Sequence, residues 1–178
     1  MSPYLLAGSI VLGAVVVFVT LPWTLPRSWY RSLFYPGGRS RAFTRRLNSV
    51  QARLTARGVF PALLVALETR GRRSGRPFLV QLVMAQVGAE RYLVSMLGDS
   101  ADWVRNAHAS AGAAVLRHGT TEEVTLEDVP VPRRAPILKA YLQVAPGARP
   151  HFDIDRGAPL AEFEKVAARY PVFRIVAK

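Results

Sequence analysis

The sequence predicts an α+β protein: a small antiparallel sheet closed into a barrel, with peripheral helices and an N-terminal transmembrane helix ahead of it. Three observations carry this. Residues 4–21 hold no charged side chain, yet every charged residue from there to position 67 is an arginine. From residue 60 onward the chain turns to short apolar runs rich in Val, Leu and Phe, separated by glycine-containing turns. Helical patterns fall between or beyond those runs, at 40–57, 100–109, 132–144 and 158–170.

The N-terminal run justifies the first element. About 18 residues at ~1.5 Å rise can just cross a hydrocarbon core of ~30 Å. The arginine excess on its C-terminal side orients the rest of the chain to the cytoplasm, as a single-pass protein of the cell membrane. Trp23, Trp29, Tyr30, Phe34 and Tyr35 supply an aromatic belt where the chain leaves the lipid. Residues 1–36 are therefore expected to form a membrane anchor and interface segment. A cleaved signal peptide would show a basic start and a small-residue cleavage site. Here the chain opens Met1-Ser2-Pro3-Tyr4, and Pro22-Trp23 follows the run. A buried core helix and a shallow insertion stay open, because this length is the short end for a span.

Charge is unevenly shared. The net +12 divides into +8 for residues 1–67, from eight arginines and no acid, and +4 for residues 68–178, from sixteen basic and twelve acidic side chains. Glu68 is the first acid of the chain. Positive charge concentrated beside an apolar run favours anionic membrane lipids, rather than nucleic acid, as its partner. The chain has no cysteine, which excludes disulfides, thiolate nucleophiles and thiolate metal sites.

Residues 37–59 read as a basic amphipathic helix. Pro36-Gly37-Gly38 breaks the chain, Ser40 caps the helix and Gly58 ends it. Phe43, Leu47, Val50 and Leu54 recur at helical spacing among Arg39, Arg45, Arg46, Arg53 and Arg57. Such a helix lies on phospholipid headgroups or packs on its own domain with a solvated basic face. Residues 60–178 then form the barrel domain. Strands are predicted at 62–69, 76–87, 91–97, 113–117, 122–129 and 172–176. A helix capped by Ser100 covers 100–109, another opens at Pro132, and a third spans 158–170.

Two motifs carry chemistry. In Thr69-Arg70-Gly71-Arg72-Arg73-Ser74-Gly75-Arg76, two glycines bracket anion-binding side chains between two strands. The glycines permit a tight turn with exposed N–H groups, while Arg72 and Arg73 give permanently charged planar forks and Ser74 a hydroxyl. A basic hairpin is also a common solvated turn. In Gly98-Asp99-Ser100-Ala101-Asp102-Trp103-Val104-Arg105-Asn106, a helix begins at a glycine, and Trp103 and Asn106 share one face.

Taken together, the order strand, Thr-x-Gly-Arg-Arg-Ser-Gly, long strand, turn, strand, Gly-(x)4-Trp-x-x-Asn, hairpin and terminal strand resembles the deazaflavin-dependent nitroreductase family over roughly residues 60–178. The resemblance implies a split β-barrel of the flavin-reductase, FMN-binding type that binds coenzyme F420, with FMN as the alternative cofactor. It places Thr69, Gly71, Arg72, Arg73, Ser74, Gly75, Trp103 and Asn106 among the cofactor-binding residues, the arginines and Ser74 around the phosphate of the deazaflavin tail. Four departures stand out: Phe78 follows Arg76-Pro77 where many members are basic, Ala101 stands where many have proline, the lysine often found on the loop before the helix is replaced near Leu97 in a shortened loop, and 160–163 replaces a tyrosine-rich stretch of the nitroimidazole-reducing members.

Other constellations are poorer. His108, His118 and His151 lie far apart without carboxylates at ligand spacing, so no metal site is expected. Asp153, Asp155 and Arg156 read as a solvated loop. Tyr141 is the one candidate proton donor, and it could equally be packed. The implied function is a membrane-anchored, F420H2-dependent oxidoreductase passing hydride to a lipophilic acceptor such as a quinone, an isoprenoid or an unsaturated lipid. A non-catalytic F420 or flavin carrier and a basic membrane-surface binding protein are the alternatives, and a homodimer is left open.

Overall fold

The computed structural model describes residues 42–178, with side chains from residue 48 onward. The expected anchor and aromatic belt lie outside the described residues. Among the described residues, no helix is long and apolar enough to cross a membrane.

Helix α1 (Ala42–Ala56) precedes β1 (Leu64–Arg70), β2 (Pro77–Val87) and β3 (Glu90–Val94). Then come α2 (Asp102–Ala109), β4 (Ala113–Arg117), β5 (Thr121–Asp128), α3 (Val131–Val144), α4 (Leu160–Val166) and β6 (Val172–Ala177). The six strands close into a barrel in the order β1-β2-β3-β6-β5-β4, every pair antiparallel. Closure removes the unpaired edges that an open sheet of this size would expose.

The hydrophobic pattern of each strand follows from what covers its outer face. On β4 and β5 exposed positions alternate with buried ones, since solvent lies outside. On β1 the residues Val65, Ala66 and Leu67 are all buried, because α1 packs over the outside. Leu67 stands opposite Val80 and Leu116, and Leu93 opposite Phe173, so one layer of aliphatic and aromatic side chains spans the interior. Helix α2 plugs one mouth of the barrel with Trp103, Val104 and Ala107. Trp103 meets Phe173 edge-on, with ring centroids 5.3 Å apart. At the far end of β5, Arg91 holds Glu122 in a two-pronged grip of 2.8 and 2.5 Å.

A second apolar layer lies outside β2 and β3. There α3 and α4 bury Leu138, Leu142, Phe152 and Phe163, and Phe152 stacks on Tyr170 at 3.9 Å. The predicted strand positions hold throughout, with β3 ending at Val94 because the Ser95 hydroxyl donates to the Gly98 carbonyl and turns the chain away.

Three local expectations are corrected. Ser100 does not cap α2: its hydroxyl donates back to the Leu97 carbonyl at 3.1 Å within a 3-10 turn, and extended Ala101 is the N-cap. The helix expected over 158–170 is only Leu160–Val166, because Pro159 starts it late and a 3-10 turn at Ala167–Arg169 ends it. Of the apolar stripe read from spacing, Leu54 is half-buried but Val50 does not face the domain. Val50 is 42% exposed, whereas Gln51, Ala52 and Thr55 are buried. Thr55 donates to the Gln51 carbonyl and accepts from Gln81 on β2 at 2.6 Å, so the helix docks through a polar join.

The Arg91–Glu122 grip makes a pH prediction. The hydrogen bonds from Arg91 hold the Glu122 carboxyl below its ordinary value of 4.5. Its contribution is therefore fully present above that value and lost as pH falls through the lowered one. Both side chains are about a third exposed, so the contribution is discounted to about 1 kcal/mol or less. Urea unfolding of Glu122→Gln should fall short of the parent at pH 7, and the gap should close as pH falls well below the ordinary carboxylate value.

Candidate functional site

The turn between β1 and β2 is built by its glycines. Gly71 N–H donates to the Arg76 carbonyl at 2.9 Å, and Gly75 N–H donates to the Gly71 carbonyl at 2.7 Å. Gly75 has φ +65°, in the left-handed region. A Cβ on Gly71 would come within 2.9 Å of Ser74 Oγ and 3.1 Å of the Arg76 carbonyl. Neither position tolerates a side chain without moving the turn.

What this turn leaves free decides its chemistry. Among the described residues, the N–H groups of Arg73 and Ser74 have no intramolecular acceptor, and the guanidinium groups of Arg73 and Arg76 have no partner. The Ser74 hydroxyl accepts from Arg76 N–H at 3.3 Å and keeps its own proton to donate. Successive free N–H groups flanked by guanidinium forks make a concave anion cradle. Arg70 lies across the same turn, its guanidinium 3.9 Å from where a Gly75 Cβ would sit.

Helix α2 holds this turn from below. Arg72 donates its main-chain N–H to Asn106 Oδ1 at 3.2 Å, and its Nη1 donates to the same oxygen and to Asp102 Oδ1, each at 3.1 Å. Asn106 Nδ2 donates to Thr69 Oγ1 at 3.4 Å. The structure thus brings the two sequence motifs together. Gly71, Arg73, Ser74 and Gly75 form the solvent side, while Arg72 is a strut between turn and helix. Thr69, Trp103 and Asn106 lie beneath, at 2%, 5% and 2% exposure. Trp103 and Asn106 support the turn from inside rather than forming an open groove wall, because α2 is sunk into the barrel mouth.

Tyr141 is corrected as a catalytic candidate. It sits in the outer core beside Phe152, and burial pushes its hydroxyl far above the ordinary phenol value, which makes it a poorer acid. Asp155 accepts from Gly157 N–H, and Asp153 pairs with Arg169, as a solvated loop does. Among the described residues, no group of three or more His, Asp or Glu converges to hold a metal. In the 160–163 stretch, Phe163 is fully buried and Leu160 exposed on α4.

Sequence reasoning missed Arg70 and Arg76. The signal was present in the motif itself: Arg70 ends β1 opposite Pro77 and Arg76 stands opposite Gly71, so both arginines border the turn. It also missed the state of β2 beyond the turn. Residues 78–84 are all only half-buried, and Phe78, Val80, Leu82 and Met84 form a partly open wall of the interior.

A family model described as F420H(2)-dependent quinone reductase matches residues 39–161. The chain belongs to that family. It is therefore an oxidoreductase whose cofactor is coenzyme F420. None of the curated proteins searched matches it. Among solved structures it is similar to an F420-H2 dependent reductase, FDR-A (19% identity, 64% of this chain and 94% of that one, TM-score 0.45). It is also similar to a domain-swapped dimer (18%, 75% and 99%, 0.47) and to an F420 reductase (16%, 71% and 91%, 0.40).

The residues present fit this quinone reductase cofactor. F420 carries a phosphate and a polyglutamate tail, and the β1–β2 turn offers free N–H groups, a hydroxyl and unpaired arginines. If Trp103 is support rather than ligand contact, Trp103→Ala should destabilise the protein by about 3–5 kcal/mol, read from urea unfolding. Tyr141→Phe, by contrast, should leave the pH profile of turnover unmoved.

Proposed function

We propose that the protein is a membrane-anchored F420H2-dependent reductase that passes hydride to a lipophilic acceptor, a quinone, an isoprenoid or an unsaturated lipid. The observation that carries this reading is the free-donor turn with a half-open apolar strand leading away from it. Arg73, Ser74 and their N–H groups grip the cofactor's phosphate, and Arg70 and Arg76 attract the carboxylates of its tail. Arg72, already committed to Asp102 and Asn106, keeps the turn in shape. Phe78, Val80, Leu82 and Met84 offer an apolar bed beside it. Bound there, coenzyme F420 supplies the hydride, and the chain's own work is to bind, orient and exclude water.

The membrane part of the reading rests on the sequence. The uncharged run at 4–21 and the all-arginine segment after it put the domain where lipid-soluble acceptors are concentrated. Leu63 and Val59 add exposed apolar surface at the α1–β1 connection.

Four measurements test the reading. Equilibrium binding to F420 and FMN side by side should favour F420. Arg73→Ala should weaken F420 by about 1.5–3 kcal/mol with little change in stability, because the side chain is exposed and unpaired. Stopped-flow oxidation of F420H2 by the full-length protein in nanodiscs should be fast with a long-chain quinone, and removing residues 1–36 should release a folded barrel from the membrane pellet. Tight binding with no oxidation by any acceptor would select the carrier. Retention of the shortened chain in the pellet at high salt would place the anchor elsewhere.

A further inference from the structure

We propose that Asn106 is the positioning residue of the anion-binding turn, drawing the Arg72 N–H inward so that the Arg73 and Ser74 N–H groups stay outward for the phosphate. The inference rests on the reading that this turn holds coenzyme F420, and it assigns the residue that sets the turn's geometry.

Asn106 is 2% exposed and both ends of its carboxamide are used. Oδ1 receives two donors of Arg72, at 3.2 and 3.1 Å, and Nδ2 reaches Thr69 Oγ1 at 3.4 Å. A flipped amide would set its NH2 against a main-chain N–H and a guanidinium, so the orientation is fixed by its donors. The helix that carries Asn106 is itself immobilised, since Trp103, Val104 and Ala107 are buried in the barrel interior. Position therefore passes from the barrel to α2, from α2 to one buried side chain, and from that side chain to the turn.

The other tie between turn and helix is weaker. The Arg72–Asp102 pair has its carboxylate 60% exposed, and an exposed ion pair contributes little. The chemistry also explains why an amide stands at this position. An aspartate could accept the same two bonds, but its charge would oppose an incoming anion. A neutral carboxamide holds the turn and leaves the positive potential of Arg70, Arg73 and Arg76 intact.

The test uses Asn106→Leu, which keeps the four-atom branched shape with somewhat more bulk and removes the hydrogen bonds, in the full-length protein. Without ligand, amide exchange at Gly71, Arg72 and Gly75, the hydrogen-bonded N–H groups of the turn, should rise at least about tenfold while β1 and β6 keep their protection. F420 affinity should fall about tenfold to a hundredfold. The loss should appear in KM for the reduced cofactor rather than in kcat. Combined with Arg73→Ala, the two losses should be less than additive, because Arg73 contributes only when the turn is held. Parent-like exchange in the turn together with parent-like affinity would overturn the proposal, as would a loss of stability and kcat without turn-specific exchange. Should Asn106→Leu not fold, Asn106→Ser, too short to reach Arg72, gives the same readings. If the parent protein itself fails to bind F420, the cofactor reading falls, and the ligand-free exchange still decides the role of Asn106.

Discussion

The seating of α2 in the barrel mouth is the constraint on which the rest depends. Trp103 buries an indole against Phe173, and a fully buried aromatic of this size removes about 150–250 Å2 from water, or about 4–6 kcal/mol at 25 cal/mol per Å2. That exceeds any single polar contact in the site. The hydrogen bonds from Asn106 to the turn are worth about 0.5–1.5 kcal/mol each, and they act only because the helix beneath them cannot shift. Hydrophobic burial supplies the rigidity, and a few polar atoms convert it into a defined arrangement of donors.

Electrostatics then decides what that arrangement attracts. Arg70, Arg72, Arg73 and Arg76 occupy one short turn, with Asp102 the only carboxylate paired there among the described residues. Two like charges ~8 Å apart in water repel by about 0.5 kcal/mol, so this crowding is a modest cost that solvent and salt reduce further. The same four charges act in concert on an anion, and a phosphate in contact gains charge-assisted bonds of about 1.5–3 kcal/mol each. The balance favours a site that is slightly strained when empty. It also separates the roles of neighbouring arginines: Arg72 is half-covered and bonded, Arg73 exposed and free.

Much of this was legible in the sequence, and the gaps have physical reasons. The six strands could be read because alternation and glycine turns report directly on pleat and hairpin geometry. The glycine-bracketed turn could be read because Gly71 and Gly75 have no other reason to flank three polar residues. The part that Gln51 and Thr55 play in seating α1 could not be read, since they dock through hydrogen bonds and carry no apolar signal. Ser100 looked like a cap, but helix start depends on where Gly98 turns the chain, and a left-handed glycine is not announced by its neighbours. The split of roles between Arg72 and Arg73 was invisible for a deeper reason. Adjacent identical residues differ only in which one faces α2, and that is settled thirty-four residues away by Asn106.

The openness of β2 connects the turn to the family's chemistry. Its neighbours are closed: residues 65–67 of β1 and 92–94 of β3 are buried, while residues 78–84 of β2 remain half-covered on both faces. A barrel built for stability alone would cover Phe78, Val80, Leu82 and Met84, since each buried aliphatic side chain contributes about 1.5–3 kcal/mol. Leaving that apolar surface open directly after four arginines gives a cationic grip and a greasy bed in one strand and its turn. On the proposed reading, long-range attraction would bring the anionic end of the cofactor in, and burial of its planar end against β2 would hold it. The two forces act on opposite ends of the same molecule, so neither has to be strong enough alone, and a ligand with only one of the two ends forfeits half of the binding.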